Sequence, residues 1–387
     1  MADAPGILIV GGGPAAQAAA SSYREAGGEG RVRILSRERE LPYERPPLTK
    51  DYLRGESGRA DLSLADREWY RARGIEVELG AEVTELDLGA GAAGDGEGRI
   101  WCFDRLLLAT GAHPLVPDLP GADGAGVRTV RTIADSEQLR DLAGVPVLIV
   151  GSGFIGCEAA ASLAMLGAEV RMASAERVPQ LERLGEEVAA RIAAWLGEQG
   201  VDLLAGATLT EVATDAGRPL ARFEDGREQA AAVVLALGIE REDGLAAAAG
   251  VEIDDGVLVD AAMVSSDPRL LAAGDVAAAG NAAAGRRLRV EHWGEALAMG
   301  EVAGRSMAGV AASWDQVPGF WSTIGARTLK YAGWGDGWEE VSFRERPDGS
   351  FVARYGRDGE LVGVLAHEDD AAYEEGKAAI EARAPWS

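Results

Sequence analysis

Cysteine is nearly absent: Cys102 and Cys157 are the only two in 387 residues, and they lie far apart. No Cys-x-x-Cys or Cys-x4-Cys pair is possible, which excludes an internal dithiol relay and a zinc-type cluster. Each cysteine reads as a buried thiol that packs like a small hydrophobe. Histidine is as scarce, with His113, His292 and His367 scattered along the chain, so no metal site is expected. Lysine occurs three times, and 63 acidic residues against 38 basic leave a formal net charge of -25. Nucleic-acid binding needs concentrated Lys and Arg and is therefore not expected. No apolar run approaches the roughly 18 to 20 residues of a membrane helix. The opening "MADAPGILIV" has no basic region before its short apolar run. The expectation is a cytoplasmic protein without a membrane partner.

Glycine, in contrast, is abundant and placed in patterns. "GILIV" (6 to 10) is a β-branched apolar run, glycines follow, "PAAQAAASSYREAG" has the composition of a helix, and "VRILS" (32 to 36) reads as a second strand. The same grammar restarts at "VPVLIVGSGFIGCEAAASLAMLGAEVRMAS" (145 to 174), so that Gly11 and Gly151 open two copies of one strand–turn–helix–strand unit. Each copy implies a parallel α/β sheet. Residues 88 to 99 read as a turn-rich connector, whereas "RLLLATGAHP", "AAAVVLALGIE" and "LLAAGDVAAAG" read as apolar strands ending in glycine. From about residue 316 the pattern becomes alternating strands with two Asp-Gly turns and a final helix, an antiparallel α+β arrangement.

Gly11, Gly13, Pro14, Ala15 and Ala16 complete a G-x-G-x-x-A turn in which the first glycine makes the bend and the second lets a pyrophosphate approach the backbone. The closing Ala16 permits tight packing of helix on sheet. Phosphate oxygens would meet the free N–H groups of the following helix. Glu38, just after the second strand, is placed to accept a ribose hydroxyl. Gly151, Gly153, Phe154, Ile155 and Gly156 form the full G-x-G-x-x-G. Eighteen residues later Ser174 stands where an NAD site would carry a carboxylate, with Glu176 and Arg177 close by. Arg177 is placed to bind a 2′-phosphate, which leaves NADH against NADPH open. Glu158 follows on what reads as the first turn of its helix, where the dipole favours an acid. Pro46-Pro47 stiffen "LPYERPPLTK", and Lys50 stands at the end of that lever.

The order GxGxxA, Ala109-Thr110-Gly111, GxGxxG and Ala272 to Asp275 resembles the FAD-dependent pyridine-nucleotide oxidoreductases of glutathione-reductase-like fold. "LPYERPPLTKDYL", "VRTVRTIADSEQL" (127 to 139), "EHWGEALAMG" (291 to 300) and "VPGFWS" (317 to 322) are similar to the ferredoxin and rubredoxin reductases of oxygenase systems, a group that includes the apoptosis-inducing-factor-like proteins. The resemblance implies an FAD-binding domain (1–112 and 242–315), an NAD(P)H-binding domain (113–241) and a C-terminal α+β domain (316–387). It places Arg45, Lys50, Thr110, Gly111, Arg131, Gly274 and Asp275 around FAD, with His292, Trp293 and Trp321 as aromatic surface about its ring. Lys50 and Glu158 would then be the catalytic pair, near the flavin and the nicotinamide. Thr323-Ile324-Gly325 depart from the family, which often has Asp there. The implied reaction is hydride transfer from NADH or NADPH to FAD, followed by single-electron transfer to a small iron–sulfur carrier. Two alternatives remain open: a small-molecule acceptor such as a quinone, oxygen or a radical, and a redox-sensing protein like the apoptosis-inducing factors. The densest basic clusters, Arg286/Arg287/Arg289 and Arg327/Lys330, are the candidate docking patches. Oligomeric state is open.

Overall fold

The structure is a computed structural model that describes residues 6–386. Expectations drawn from the first five residues and from Ser387 lie outside the described residues. Two five-stranded parallel sheets and one five-stranded antiparallel sheet dominate, as expected from the doubled glycine grammar and the changed style of the tail.

In the first sheet the strands run Leu270–Ala272, Arg105–Leu108, Gly6–Val10, Arg31–Ser36 and Ile75–Leu79, all parallel. Gly6–Val10 is buried along its whole length, which is why it is written without polar alternation. The second sheet repeats the plan with Asp202–Ala205, Glu169–Ser174, Pro146–Val150, Ala232–Leu235 and the short Val127–Arg128. A three-stranded antiparallel meander precedes the fourth strand in both copies, spanning residues 85–102 in one and 209–230 in the other. The connector expected at 88 to 99 thus contains a strand of its own, Ala92–Gly94. The run at 270–280 is likewise two strands, broken at Gly274 with φ 79°.

The chain leaves the first sheet through Ala112–Pro114 and returns through Ile239–Arg241, and these two segments pair antiparallel. The tail sheet, ordered Gly319–Ile324, Arg327–Gly333, Glu360–His367, Phe351–Arg357 and Glu340–Glu345, carries the final helix Asp370–Glu381. Ile324, Leu329, Phe351, Tyr355 and Leu365 share one apolar core with Val147, Cys157 and Leu163 of the second unit. That shared core sets the first tail strand against the helix Phe154–Met165. One cysteine departs from expectation. Cys157 is buried, but Cys102 ends the edge strand Ile100–Cys102 with its side chain outward while Trp101 takes the inward position.

Candidate active site

Both glycine turns open into one cavity of about 920 Å³. A Cβ on Gly11, which has φ 127°, would lie 2.0 Å from the Ala109 carbonyl oxygen, and one on Gly151 would lie 2.3 Å from that of Ala236. Neither position accepts a side chain. A Cβ on Gly13 or Gly153 would instead meet no protein atom within 4 Å, because these residues face the cavity. They begin the helices Pro14–Glu25 and Phe154–Met165. No side chain caps either helix, and neither has an acid in its first turn. Two positive helix ends with unpaired N–H groups therefore face open space, the donor set that anionic phosphates require.

Gly11, Gly13, Pro14, Ala15, Glu38, Arg45, Lys50, Thr110, Gly111, Arg131, Gly274, Asp275, His292, Trp293 and Trp321 line the cavity, as do Gly153, Phe154, Ile155 and Glu158. Ala16 is fully buried in the helix–sheet contact, and Gly156 lets its helix approach the Gly151 carbonyl. The Glu38 carboxylate accepts from Arg45 Nη2 at 2.6 Å and from the Tyr43 hydroxyl at 2.6 Å. Burial raises its pKa, but the Arg45 charge and these hydrogen bonds outweigh burial and hold it below the usual carboxylate range. Across the cavity Arg131 is paired with Asp275 at 2.8 Å.

Lys50 ends a stiff 3-10 turn, Pro46–Thr49, whose carbonyls are held by Ser136 (to Leu48 O, 2.7 Å) and Ser162 (to Thr49 O, 2.6 Å). Its ammonium donates to Glu158 Oε2 at 2.6 Å. This ion pair is buried, with 11% and 3% of the two side chains exposed. Glu158 is the fifth residue of its helix, not part of the first turn. The helix dipole therefore does not account for it; the four donors around it do. Thr49 Oγ1 joins Lys50 on Oε2, while Ser322 Oγ and the Thr323 amide hold Oε1. Thr323, where the sequence departs from the expected acid, serves through its backbone.

His292 and Trp293 begin the helix that lines the opposite wall, and His292 Nδ1 and Trp293 Nε1 are buried without a hydrogen-bond partner. Burial first, and then the Arg183 charge, push the His292 imidazole down to about 4. Trp321, packed edge-on to Trp293, is 42% exposed at the rim. Arg183 was not legible in the sequence, since it belongs to no motif. Its guanidinium lies over Phe154 and Phe320, 5.6 Å from each ring.

Ser174, Glu176 and Arg177 do not line the cavity. Ser174 is buried and its hydroxyl meets that of Ser152 at 2.7 Å, tying the glycine turn to the strand end. The Arg177 guanidinium is turned onto Glu186 in an exposed ion pair. The two units match closely here. In the first, Ser36 Oγ accepts from the Glu38 amide at 3.2 Å, and Gly80 N donates to Glu38 O at 3.0 Å. In the second, Ser174 Oγ accepts from the Glu176 amide at 3.2 Å, and Gly206 N donates to Glu176 O at 3.3 Å. Glu176 thus follows its strand end as Glu38 follows the other, although Glu38 lines the cavity and Glu176 does not.

The candidate docking patches are largely neutralised. Arg286 is paired with Asp336, Arg289 with Asp254 and Asp255, Arg327 with Glu198 and Lys330 with Asp370.

Residues 5–300 match the pyridine nucleotide-disulphide oxidoreductase family, and residues 319–387 match the reductase C-terminal family. The chain belongs to the first of these and is an oxidoreductase, although among the described residues its cysteines are free. It is 35% identical over 341 residues to the biphenyl dioxygenase system ferredoxin–NAD(+) reductase component of Paraburkholderia xenovorans (strain LB400), covering 87% of this chain and 83% of that one. Among solved structures it superposes on the ferredoxin reductase for the CYP199A2 system from Rhodopseudomonas palustris with a TM-score of 0.94 and 28% identity over 99% of this chain and 96% of that one. It matches the covalent putidaredoxin reductase–putidaredoxin complex at a TM-score of 0.92 and 27% identity, covering 98% and 94%. Among the described residues no helix is long and apolar enough to cross a membrane.

Proposed function

We propose that the chain is an NADH-dependent, FAD-containing reductase that delivers electrons singly to a small iron–sulfur carrier of an oxygenase system. The observation that carries this reading is the single cavity into which both open helix ends, Gly13 and Gly153, face, with the Lys50–Glu158 pair in its wall. When bound, FAD supplies the chemistry that accepts a hydride from the nicotinamide and returns the two electrons one at a time.

The protein's own residues hold and tune these groups. Gly13 and Ala15 would present free amides to the FAD pyrophosphate, while Gly11, whose own N–H donates to Leu35 O, makes the turn and Pro14 opens the helix; Glu38, already oriented by Arg45 and Tyr43, would offer lone pairs to the ribose. Arg131, Asp275 and Gly274 line the path toward the ring. The Lys50 ammonium, fixed by Glu158, favours negative charge in the cavity without reorganising when that charge appears. The second glycine turn, with Phe154 and Ile155, receives the nucleotide, and Arg183 adds a cation beside it. The unpartnered His292 and Trp293 nitrogens are available to a ring that fills the space between the walls. We assign residues to 112 with 242–315 to the FAD unit, 113–241 to the nucleotide unit and 316 onward to the tail. The antiparallel crossing of 112–114 with 239–241 supports the first two boundaries.

Glu176 carries the nucleotide preference. A carboxylate that follows its strand end as Glu38 does in the first unit accepts ribose hydroxyls and repels a 2′-phosphate, while Arg177 is held away by Glu186. Anaerobic titration of the flavin-loaded protein should bleach the flavin with NADH well before NADPH. In Glu176→Ala that preference should narrow by about tenfold. A wild-type flavin that NADPH reduces as readily would contradict the assignment.

The iron–sulfur acceptor is supported by the missing dithiol relay among the described residues, by the exposed Trp321 at the cavity rim and by the relatives, which are named as ferredoxin and putidaredoxin reductases.

A further inference from the structure

Glu158 is the point at which three parts of the chain meet. It stands on the helix of the second glycine turn; Thr49 and Lys50 reach Oε2 from the Pro-Pro turn, while Ser322 and the Thr323 amide reach Oε1 from the first strand of the tail sheet. Of the two tail donors the Ser322 hydroxyl is the shorter and the more deeply buried: Ser322 is 1% exposed and its hydroxyl lies 2.7 Å from Oε1, against 3.2 Å for the Thr323 amide. A carboxylate with donors on one oxygen alone would be free to swing about its last torsion, which is soft. The two oxygens are instead held from opposite sides, so the position of Lys50 depends on a hydroxyl that never touches it.

We propose that Ser322 is a positioning residue: through Glu158 it fixes the Lys50 ammonium in the cavity wall and so makes the tail sheet a working part of the reductive site. The reason is electrostatic. A cation preorganised beside developing negative charge is effective only if it does not have to move, and a buried ion pair retains its geometry only if the remaining lone pairs are satisfied. Thr323 strengthens the same grip, since its hydroxyl meets that of Thr328 at 3.0 Å and steadies the strand that carries Ser322. The proposal rests on the reductase reading for its function, but its geometry can be tested without it.

The chain has only three lysines, so the reactivity of the Lys50 amine can be read directly by acetylation and peptide mass analysis of the flavin-loaded protein, with Lys330 and Lys377 as internal references. Ser322→Ala should raise the labelling rate of Lys50 about tenfold, the effect of losing a hydrogen bond to a charged group, and leave the other two lysines unchanged. Ser322→Thr, which keeps the hydroxyl, should label as wild type. In parallel, the midpoint potential of the flavin should fall in Ser322→Ala by about 30 mV, the shift of a tenfold change in a two-electron equilibrium, and return in Ser322→Thr.

Unchanged Lys50 labelling in Ser322→Ala would overturn the proposal. So would a rise shared by all three lysines, which would mark Ser322 as a structural residue only. If neither nucleotide reduces the wild-type flavin, the reductase reading falls, and the labelling ratio still decides the role of Ser322.

Discussion

His292 sits in the cavity wall with its Nδ1 unpartnered, among Arg183, Asp275 and the Phe320 ring. Its imidazole is pushed down to about 4 by burial and then by the Arg183 charge, against 6.5 in an unfolded chain. Between these values the unfolded chain binds a proton that the folded protein refuses, so stability is complete above pH 6.5 and is lost as the pH falls toward 4. The loss should reach roughly 3 kcal/mol at its limit. Denaturant midpoints at pH 7 and pH 4.5 should therefore diverge less in His292→Gln than in wild type; an equal divergence would contradict the assignment. At this scale sequence and structure agree unevenly. Lys50 was legible because two prolines announce a rigid support. Glu158 was legible as a site residue but not in its cause, because the hydroxyls that hold it come from residues 49 and 322, which no local spacing connects. That Glu176, and not Ser174, follows the strand end as Glu38 does was not legible, because counting along a strand cannot tell where it ends.

Elements were more legible than residues, and the glycine turns most of all. Each turn joins two different demands that the sequence writes with the same letter. Gly11 has no room for a side chain and a positive φ, whereas Gly153 has an ordinary extended backbone and empty space in front of it. Gly11→Ala should accordingly destabilise the fold by about 3 kcal/mol. Gly153→Ala should leave the thermal midpoint near wild type and weaken nucleotide binding by about tenfold or more, because its methyl group occupies the approach to the helix end. Calorimetric binding and melting of both variants would separate the two roles; a loss of stability in Gly153→Ala with affinity intact would refute the distinction. The paired strands of the tail were readable from their Asp-Gly turns. The strand at 92–94 was not, since three residues among glycines carry no periodic signal and form only by pairing with 85–87 and 100–102.

At the scale of the whole molecule, two copies of one nucleotide-binding plan are set mouth to mouth, and the tail sheet closes the space between them. Charge explains less than composition suggested. The protein is strongly acidic, yet the arginines that looked like docking patches are mostly tied to neighbouring acids. Recognition of the electron carrier therefore cannot rest on those clusters as free cations, and Trp321, like Ile155, is an exposed apolar side chain that reaches the cavity. Nor can a thiol relay carry electrons out, because burial pushes the Cys157 thiol up, away from the reactive thiolate, and Cys102 lies on an edge strand of the first unit's meander. The account thus requires that electrons enter as a pair from NADH and leave singly by way of the flavin alone. The measurement that tests this most directly is anaerobic mixing of the flavin-loaded Cys102→Ser/Cys157→Ser variant with NADH and an oxidised [2Fe–2S] ferredoxin, following both visible spectra. The account predicts that two ferredoxins are reduced for each NADH consumed, at the wild-type rate. A flavin that NADH bleaches but that leaves the ferredoxin oxidised, or a rate that collapses when the cysteines are removed, would contradict it.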